Sequence, residues 1–250
     1  MNNLNALSPL DGRYAEITTP LSDYFSEFAF LRDRVRVELD YLIAFSKRGL
    51  FRPLTDSEYA LLDAIKFTFS SADAELVRAH ERGTRHDVKA IEYFLQEKLR
   101  DTSLQDLLPW IHFGLTSEDV NNIAQAIALR DARDGVLLPV LDTLINSLRD
   151  FAIRYRALPM LARTHGQFAV PTTLGKEIAV YLGRLKKTRV EISAHRFEAK
   201  LTGAVGNFNA LHVAAPQTDW PSFSKEFIQQ YGLEAEFITT QILPYDNRRC

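Results

Sequence analysis

Apolar positions recur every three or four residues along most of this chain, and no convincing run alternates with a period of two. That spacing predicts helices, because side chains three and four apart return to one helical face. Residues 22–48 read as a first helix, with Ser22 as cap and Gly49 as stop. Thr55-Asp56-Ser57-Glu58 has the form of a capping box and opens a second. Thr84-Arg85-His86-Asp87 has a related form and precedes a stripe of Val88, Ile91, Leu95 and Leu99. Thr116-Ser117-Glu118-Asp119 begins the longest helical stretch, which runs to about Arg156. Its stripe carries Val120, Ile123, Ile127, Leu137, Leu141, Leu144, Leu148 and Phe151. At about 1.5 Å per residue it would extend roughly 55 Å. Pro139 is expected to kink this helix rather than end it, since the pattern resumes beyond it.

Residues 157–171, bounded by Pro159 and Pro171, read as a loop. The next helix is predicted to start at Pro171, a residue suited to a first turn, and to reach about Leu201. Leu174, Ile178, Tyr181, Leu185 and Ile192 give it a heptad-like face. A glycine-punctuated joint at Gly203-Ala204-Val205-Gly206-Asn207, a short helix near 222–231 and the segment Thr239–Pro244 complete the chain's pattern. The fold class implied is all-α, with a boundary near 101–111. Residues 1–110 form a small N-terminal helical domain, and residues 111–250 hold the first long helices of a central bundle. Two long amphipathic helices make only a hairpin, whereas a four-helix bundle needs two more of similar length. The bundle is therefore expected to be incomplete, and its exposed stripe to recruit partners.

Composition narrows the picture. With 250 residues and 46% hydrophobic content, a substantial core is available. The formal net charge of −2 gives no global attraction to nucleic acid or to an anionic membrane, so an anionic ligand needs a local basic cluster. The one cysteine, Cys250, allows no internal disulfide, which fits a reducing compartment. The start, Met1 to Tyr14, lacks the pattern of a signal peptide. No run approaches the roughly 18 apolar residues of a membrane span. These features together lead us to expect a cytoplasmic protein with no nucleic-acid or membrane partner. The six histidines show no metal-ligand spacing, and Gly203–Gly206 follows no strand, so neither a metal nor a dinucleotide cofactor is expected.

The candidate chemistry sits at helix junctions. His86 and Asp87 fall at a helix start, where free N–H groups and the dipole favour anions, and Arg85 adds a fixed charge. The same segment also reads as a plain N-terminal cap with a surface histidine. His165, in Arg163-Thr164-His165-Gly166-Gln167, is suited to proton transfer near neutral pH, or to satisfying loop carbonyls. Thr116 and Ser117 can hold an anion through hydroxyls and free N–H groups, although an ordinary cap is the commoner role. Arg13 and Tyr14 sit on a turn after Asp11-Gly12 and either clamp a phosphate or simply face solvent.

Taken together, the motifs point one way. Ser8-Pro9-Leu10-Asp11-Gly12-Arg13-Tyr14, Arg85-His86-Asp87-Val88-Lys89-Ala90, Phe113-Gly114-Leu115-Thr116-Ser117-Glu118-Asp119, Arg163-Thr164-His165-Gly166-Gln167, Gly203-Ala204-Val205-Gly206-Asn207-Phe208-Asn209 and Thr239-Thr240-Gln241 resemble, in order and spacing, the bacterial-type adenylosuccinate lyases of the fumarase/aspartase superfamily. The resemblance runs from about residue 4 to about 246. It implies an all-α homotetramer without cofactor. The reaction it implies splits fumarate from adenylosuccinate, giving AMP, and from the succinylated aminoimidazole carboxamide ribotide. It implies that His165 protonates the leaving nitrogen and that His86 positions the substrate. Arg13, Tyr14, Arg85, Asp87, Thr116, Ser117 and Gln241 would line the pocket for the nucleotide and its succinyl group.

One element of that pattern is missing. The resemblance implies a serine base on a loop of the form Ser-Ser-x-Met-Pro-x-Lys-x-Asn, and this sequence contains none. Tyr245-Asp246-Asn247-Arg248-Arg249-Cys250 does not read as the core helix the family would begin there. A truncated chain, inactive by itself, is the expectation. The alternatives are another lyase of the superfamily, such as argininosuccinate lyase or fumarase, and a non-enzymatic helical interaction fragment. The Arg13-Tyr14 motif argues against the former, and a stable monomer would argue against the latter.

Overall fold

The computed structural model describes residues 5–244. The Tyr245–Cys250 ending, with Cys250, lies outside them, as do residues 1–4. The described chain is mainly helical and forms two compact units. One gathers the residues up to Arg130 with those from Arg196 onward; the other is Asp131–His195.

The first unit begins with short helices α1 (Ala15–Thr18) and α2 (Ser22–Phe25), and then α3 (Glu27–Lys47). The expected helix from Ser22 is broken once, at Ser26, whose backbone is extended and whose side chain accepts a hydrogen bond from Ala29 N. Ser26 is thus the cap of the long helix, not Ser22. Helix α3 is buried on opposite faces. Leu31, Val35, Leu39 and Leu42 enter one apolar cluster, and Val37, Tyr41 and Phe45 enter another. Its sequence carries no single stripe because two layers cover it.

Helix α4 (Asp56–Phe67) opens with the predicted capping box, in which Thr55 and Glu58 each bond the other's backbone N–H. Ser70 and Asp73 build a second box at α5 (Ser71–Thr84). Arg85 then takes a left-handed backbone, φ 53°, and ends α5. The cap of α6 (Asp87–Leu99) is His86, whose Nδ1 accepts from Lys89 N at 3.1 Å. The capping role expected of the Thr84 segment passes to the histidine because the left-handed break places the extended residue at 86. The predicted stripe Val88, Ile91, Leu95 and Leu99 is fully buried. A 3₁₀ turn at Gln105–Trp110 leads to α7 (Ser117–Ala132). Two short helices, α10 (Asn209–Ala214) and α11 (Trp220–Gln229), close the second cluster over Tyr41 and Phe45.

The second unit contains α8 (Leu138–Arg154), strands β1 (Pro159–Thr164) and β2 (Gln167–Thr173), and α9 (Leu174–Ala194). A π-helical turn at Arg133–Leu137 precedes α8. Pro139 donates no N–H, and its ring crowds the carbonyl four residues back, so the turn before it widens and the helix continues as expected. Helices α8 and α9 run antiparallel. Arg189 forks onto Asp142 with two bonds of 2.9 Å. Leu138, Ile145 and Ala152, seven residues apart, are the buried seam.

Residues 157–171 are not an irregular loop. They form an antiparallel hairpin in which Thr164 pairs with Gln167. Its tip is His165-Gly166, with φ of 49° and 75°; type I′ turns require positive φ at both positions. Helix α9 therefore starts at Leu174, capped by Thr173, rather than at Pro171, and it ends at Ala194 rather than near Leu201. Strands β3 (Glu198–Ala199) and β4 (Glu234–Ala235) pair in parallel in the first unit. No helix among the described residues is long and apolar enough to cross a membrane.

Core and surface positions should separate sharply on truncation. Leu95 is 0% exposed and Val213 83% exposed. Leu95→Ala is expected to cost about 2–5 kcal/mol, and Val213→Ala less than about 0.5 kcal/mol, in urea unfolding followed by circular dichroism.

Candidate active site

Two of the predicted residues meet in the first unit. Gln241 Nε2 donates to Thr116 Oγ1 at 3.3 Å, although the two are 125 residues apart in sequence. A buried ion pair lies directly behind them. Lys200 Nζ is 3.0 Å from Asp119 Oδ1, and both side chains are 0% exposed. The ammonium also donates to Gly203 O at 3.0 Å and to Gln241 O at 2.7 Å. Its three protons thus have three oxygen partners. The carboxylate of Asp119 accepts from Thr116 N at 3.0 Å, from Thr202 N at 3.1 Å and from Gly203 N. Asn122 brackets the backbone of Lys200, accepting from its N at 2.8 Å and donating to its O at 3.0 Å. Thr202 and Thr239 join hydroxyls at 2.7 Å. Gly206, at φ 81°, passes so close to the Thr239 carbonyl that any Cβ there would collide with it. Two separate segments, Lys200–Gly206 and Thr239–Gln241, are thereby fixed against the start of α7.

Ser117 occupies the first turn of that helix, beside Thr116. Glu118 follows, and burial together with the charge of Asp119 raises its carboxyl pKa above the ordinary value, against the pull of Lys200 and Arg34. The result is a helix start with free N–H groups, two hydroxyls and an amide, suited to a carboxylate or phosphate.

A second patch surrounds the start of α6. Arg34, on α3, donates to Asp87 Oδ2 at 2.7 Å and stacks 3.8 Å over the Phe30 ring. Because His86 Nδ1 accepts from the backbone, the neutral ring carries its proton on Nε2 and presents a donor. The His86 side chain is half exposed. Arg85 is exposed at the left-handed break.

Arg13 and Tyr14 lie on an exposed turn held by Ser8 N to Asp11 Oδ1, 3.0 Å, and by Thr18 Oγ1 to Leu10 O, 2.6 Å. Neither side chain bonds another predicted site residue in the described structure. His165 belongs to the second unit, exposed at the hairpin tip. No cluster of metal-ligating side chains occurs among the described residues.

The family model described as Lyase matches residues 41–247. This chain belongs to that lyase family. It is a member of the fumarase/aspartase superfamily. Adenylosuccinate lyase of Escherichia coli (strain K12) is 41% identical over 250 residues, covering 98% of this chain and 55% of that protein. That of Haemophilus influenzae is 43% identical, with the same 98% and 55% covered. That of Dictyostelium discoideum is 42% identical, covering 99% and 55%. The chain spans about half the length of the curated relatives it matches. A solved β-carboxy-cis,cis-muconate cycloisomerase from Acinetobacter calcoaceticus superposes with a TM-score of 0.71 at 21% identity, covering 92% of this chain and 52% of that one. A fumarate lyase from Mesorhizobium gives 0.72 at 20% identity, with 88% and 49% covered. At those identities the likeness establishes the fold.

A lyase of this family needs proton-transfer groups and fixed donors for developing negative charge. Fixing donors requires support behind them. In the sequence Asp119 belongs to a capping motif and to the Phe113–Asp119 motif, while Lys200, Asn122, Thr202 and Arg34 carry no signal of such a role. Lys200→Met should leave Asp119 buried without a cation and cost about 3–5 kcal/mol. The double change with Asp119→Asn should recover part of that loss. Chemical unfolding of the two variants checks both.

Proposed function

We propose that this chain carries the substrate-binding groups and the general acid of an adenylosuccinate lyase. The reaction eliminates fumarate from adenylosuccinate, giving AMP, and from the succinylated aminoimidazole carboxamide ribotide. The observation that supports this best is the Thr116–Gln241 contact, since the resemblance assigns both residues to one pocket. Identity of 41–43% to named adenylosuccinate lyases favours this substrate over that of other superfamily members.

Under this reading Thr116, Ser117 and Gln241 hold the succinyl carboxylates, where the N–H groups of α7 add favourable charge. Arg13, Tyr14, Arg85, His86 and Asp87 hold the nucleotide. Arg34 keeps Asp87 in place. His165 protonates the nitrogen as the carbon–nitrogen bond breaks. A base must remove a proton from the succinyl carbon next to the one that bears the departing nitrogen, and the serine loop that would supply it is not in this sequence. The chain alone therefore binds nucleotide but turns substrate over poorly. Assembly as a homotetramer fits the exposed side chains Leu137, at the end of the π-helical turn, and Val140, Leu144 and Phe151 on α8, at spacings of three, four and seven. A cytoplasmic location fits this metabolic role.

Calorimetric titration with adenylosuccinate tests the binding claim. The wild-type chain should bind, and Gln241→Ala should weaken binding roughly tenfold, the effect of losing one hydrogen bond to the succinyl group. Failure of adenylosuccinate to bind would remove the reading. Fumarate release by this chain at the rate of a full-length relative would overturn the requirement for the serine loop. In light scattering the chain should exceed its monomer mass of 28.5 kDa. A stable monomer would count against the assembly.

A further inference from the structure

Helix α3 carries Arg34, Glu38 and Tyr41 at spacings of four and three, so the three side chains share one face. Together they reach two segments of the candidate site. Arg34 holds Asp87 at 2.7 Å. Glu38 Oε1 accepts from His112 Nδ1 at 2.6 Å. Tyr41 OH donates to Phe113 O at 3.0 Å. The last two fasten the turn that leads into Thr116 and Ser117. That turn is tight: His112 and Gly114 both have left-handed backbones, φ 58° and 73°. Glycine would suit position 112 better on backbone grounds, so the imidazole there has a use that outweighs the strain.

We infer that Glu38 is a positioning residue which, through His112, sets the Phe113–Ser117 segment in its ligand-binding conformation and makes that conformation dependent on the charge of the imidazole. The inference rests on the reading that Thr116 and Ser117 contact the nucleotide substrate. Two observations carry it. First, Glu38 is buried and its second oxygen, Oε2, has no hydrogen-bond partner. A brace made for stability alone would be better built from apolar side chains. Second, the other carboxylates facing His112 each have a lysine. Glu92, on α6, is 2.6 Å from Lys89, and Asp119, on α7, is paired with Lys200. Glu38 pairs instead with His112 itself, at 2.6 Å, and the pair is ionic when the imidazole is protonated.

Burial opposes the charged imidazole, but Glu38 at contact distance, with Glu92 and Asp119 behind it, raises the His112 pKa above its ordinary value. The stabilisation from this pair is complete below about pH 6.5, the unfolded-state value, and is lost as pH rises through the higher folded value. Above that point the segment before Thr116 is held by a neutral donor against a buried anion, and its hold weakens.

The test follows imidazole and backbone amide resonances of the isotope-labelled 250-residue chain through a pH titration. Expected are a His112 midpoint above that of an ordinary histidine and movement of the Thr116 and Ser117 amides with the same midpoint. In Glu38→Gln that midpoint should fall, and adenylosuccinate affinity should lose most of its pH dependence. In the wild type, adenylosuccinate affinity should fall severalfold as the pH rises through the His112 midpoint. Amides of Thr116 and Ser117 that ignore the His112 titration would overturn the inference in the wild type, with no variant or ligand needed. An unchanged His112 midpoint in a folded Glu38→Gln chain would do the same. If adenylosuccinate does not bind at any pH, the substrate reading fails, while the amide titration still decides the coupling.

Discussion

Asp119 and Lys200 are both shut away from water, and neither is tolerable there alone. A buried ion pair repays its desolvation only when the remaining lone pairs and protons are also matched. Here they are matched by backbone: the N–H groups of Thr116, Thr202 and Gly203 meet the carboxylate, and the carbonyls of Gly203 and Gln241 meet the ammonium. The pair therefore joins the start of α7, the glycine joint after Lys200 and the Thr239–Gln241 segment, since any of them moving away would strand a buried charge. The contact between Gln241 and Thr116 follows from this arrangement rather than creating it.

The same economy explains the loops. Positive φ outside glycine occurs in the described chain at Arg85, His112, His165 and Phe208. All four lie in or beside segments that the sequence singles out for chemistry. A helical protein can aim side chains into a cleft where helices stop and start, and a left-handed residue lets the chain turn within a single position. After Arg85 the next residue, His86, serves as cap with its ring nitrogen, which fixes the tautomer of the neutral ring as well as the helix start. Under the proposed function one ring caps the helix through Nδ1 and presents Nε2 to the substrate.

What the sequence disclosed depended on whether the cause was local. The stripe Val88, Ile91, Leu95 and Leu99 and the Thr55–Glu58 box are set within a few residues, and both are found as read. The hairpin at 159–173 was invisible because neither of its faces is buried within its unit, so nothing selects an alternating pattern. The end of α9 at Ala194 was overrun because apolar residues continue to Leu201, although they leave the helix and enter the first unit's core as strand and loop. Lys200 could not be read as buried, because its partner lies far upstream and a lysine between Ala199 and Leu201 looks like an ordinary exposed one. The motif residues were legible as types, but the network that orders them is a property of the folded chain.

His165 poses a different physical problem. A general acid works best where water is excluded and its partner charges are fixed. On the hairpin tip it is exposed, and the strands carrying it offer Phe168 and Val170 largely to solvent as well. The second unit has a buried seam along α8 but leaves Leu144 and Phe151 uncovered on the same helix. A rigid two-residue turn can hold a ring in one orientation, yet it cannot by itself dry the ring's surroundings. Apolar side chains flanking the tip become useful when another surface closes over them, because the burial that covers them also removes water from the histidine. Under the proposed function, assembly and acid catalysis would then depend on a single event, the covering of this hairpin.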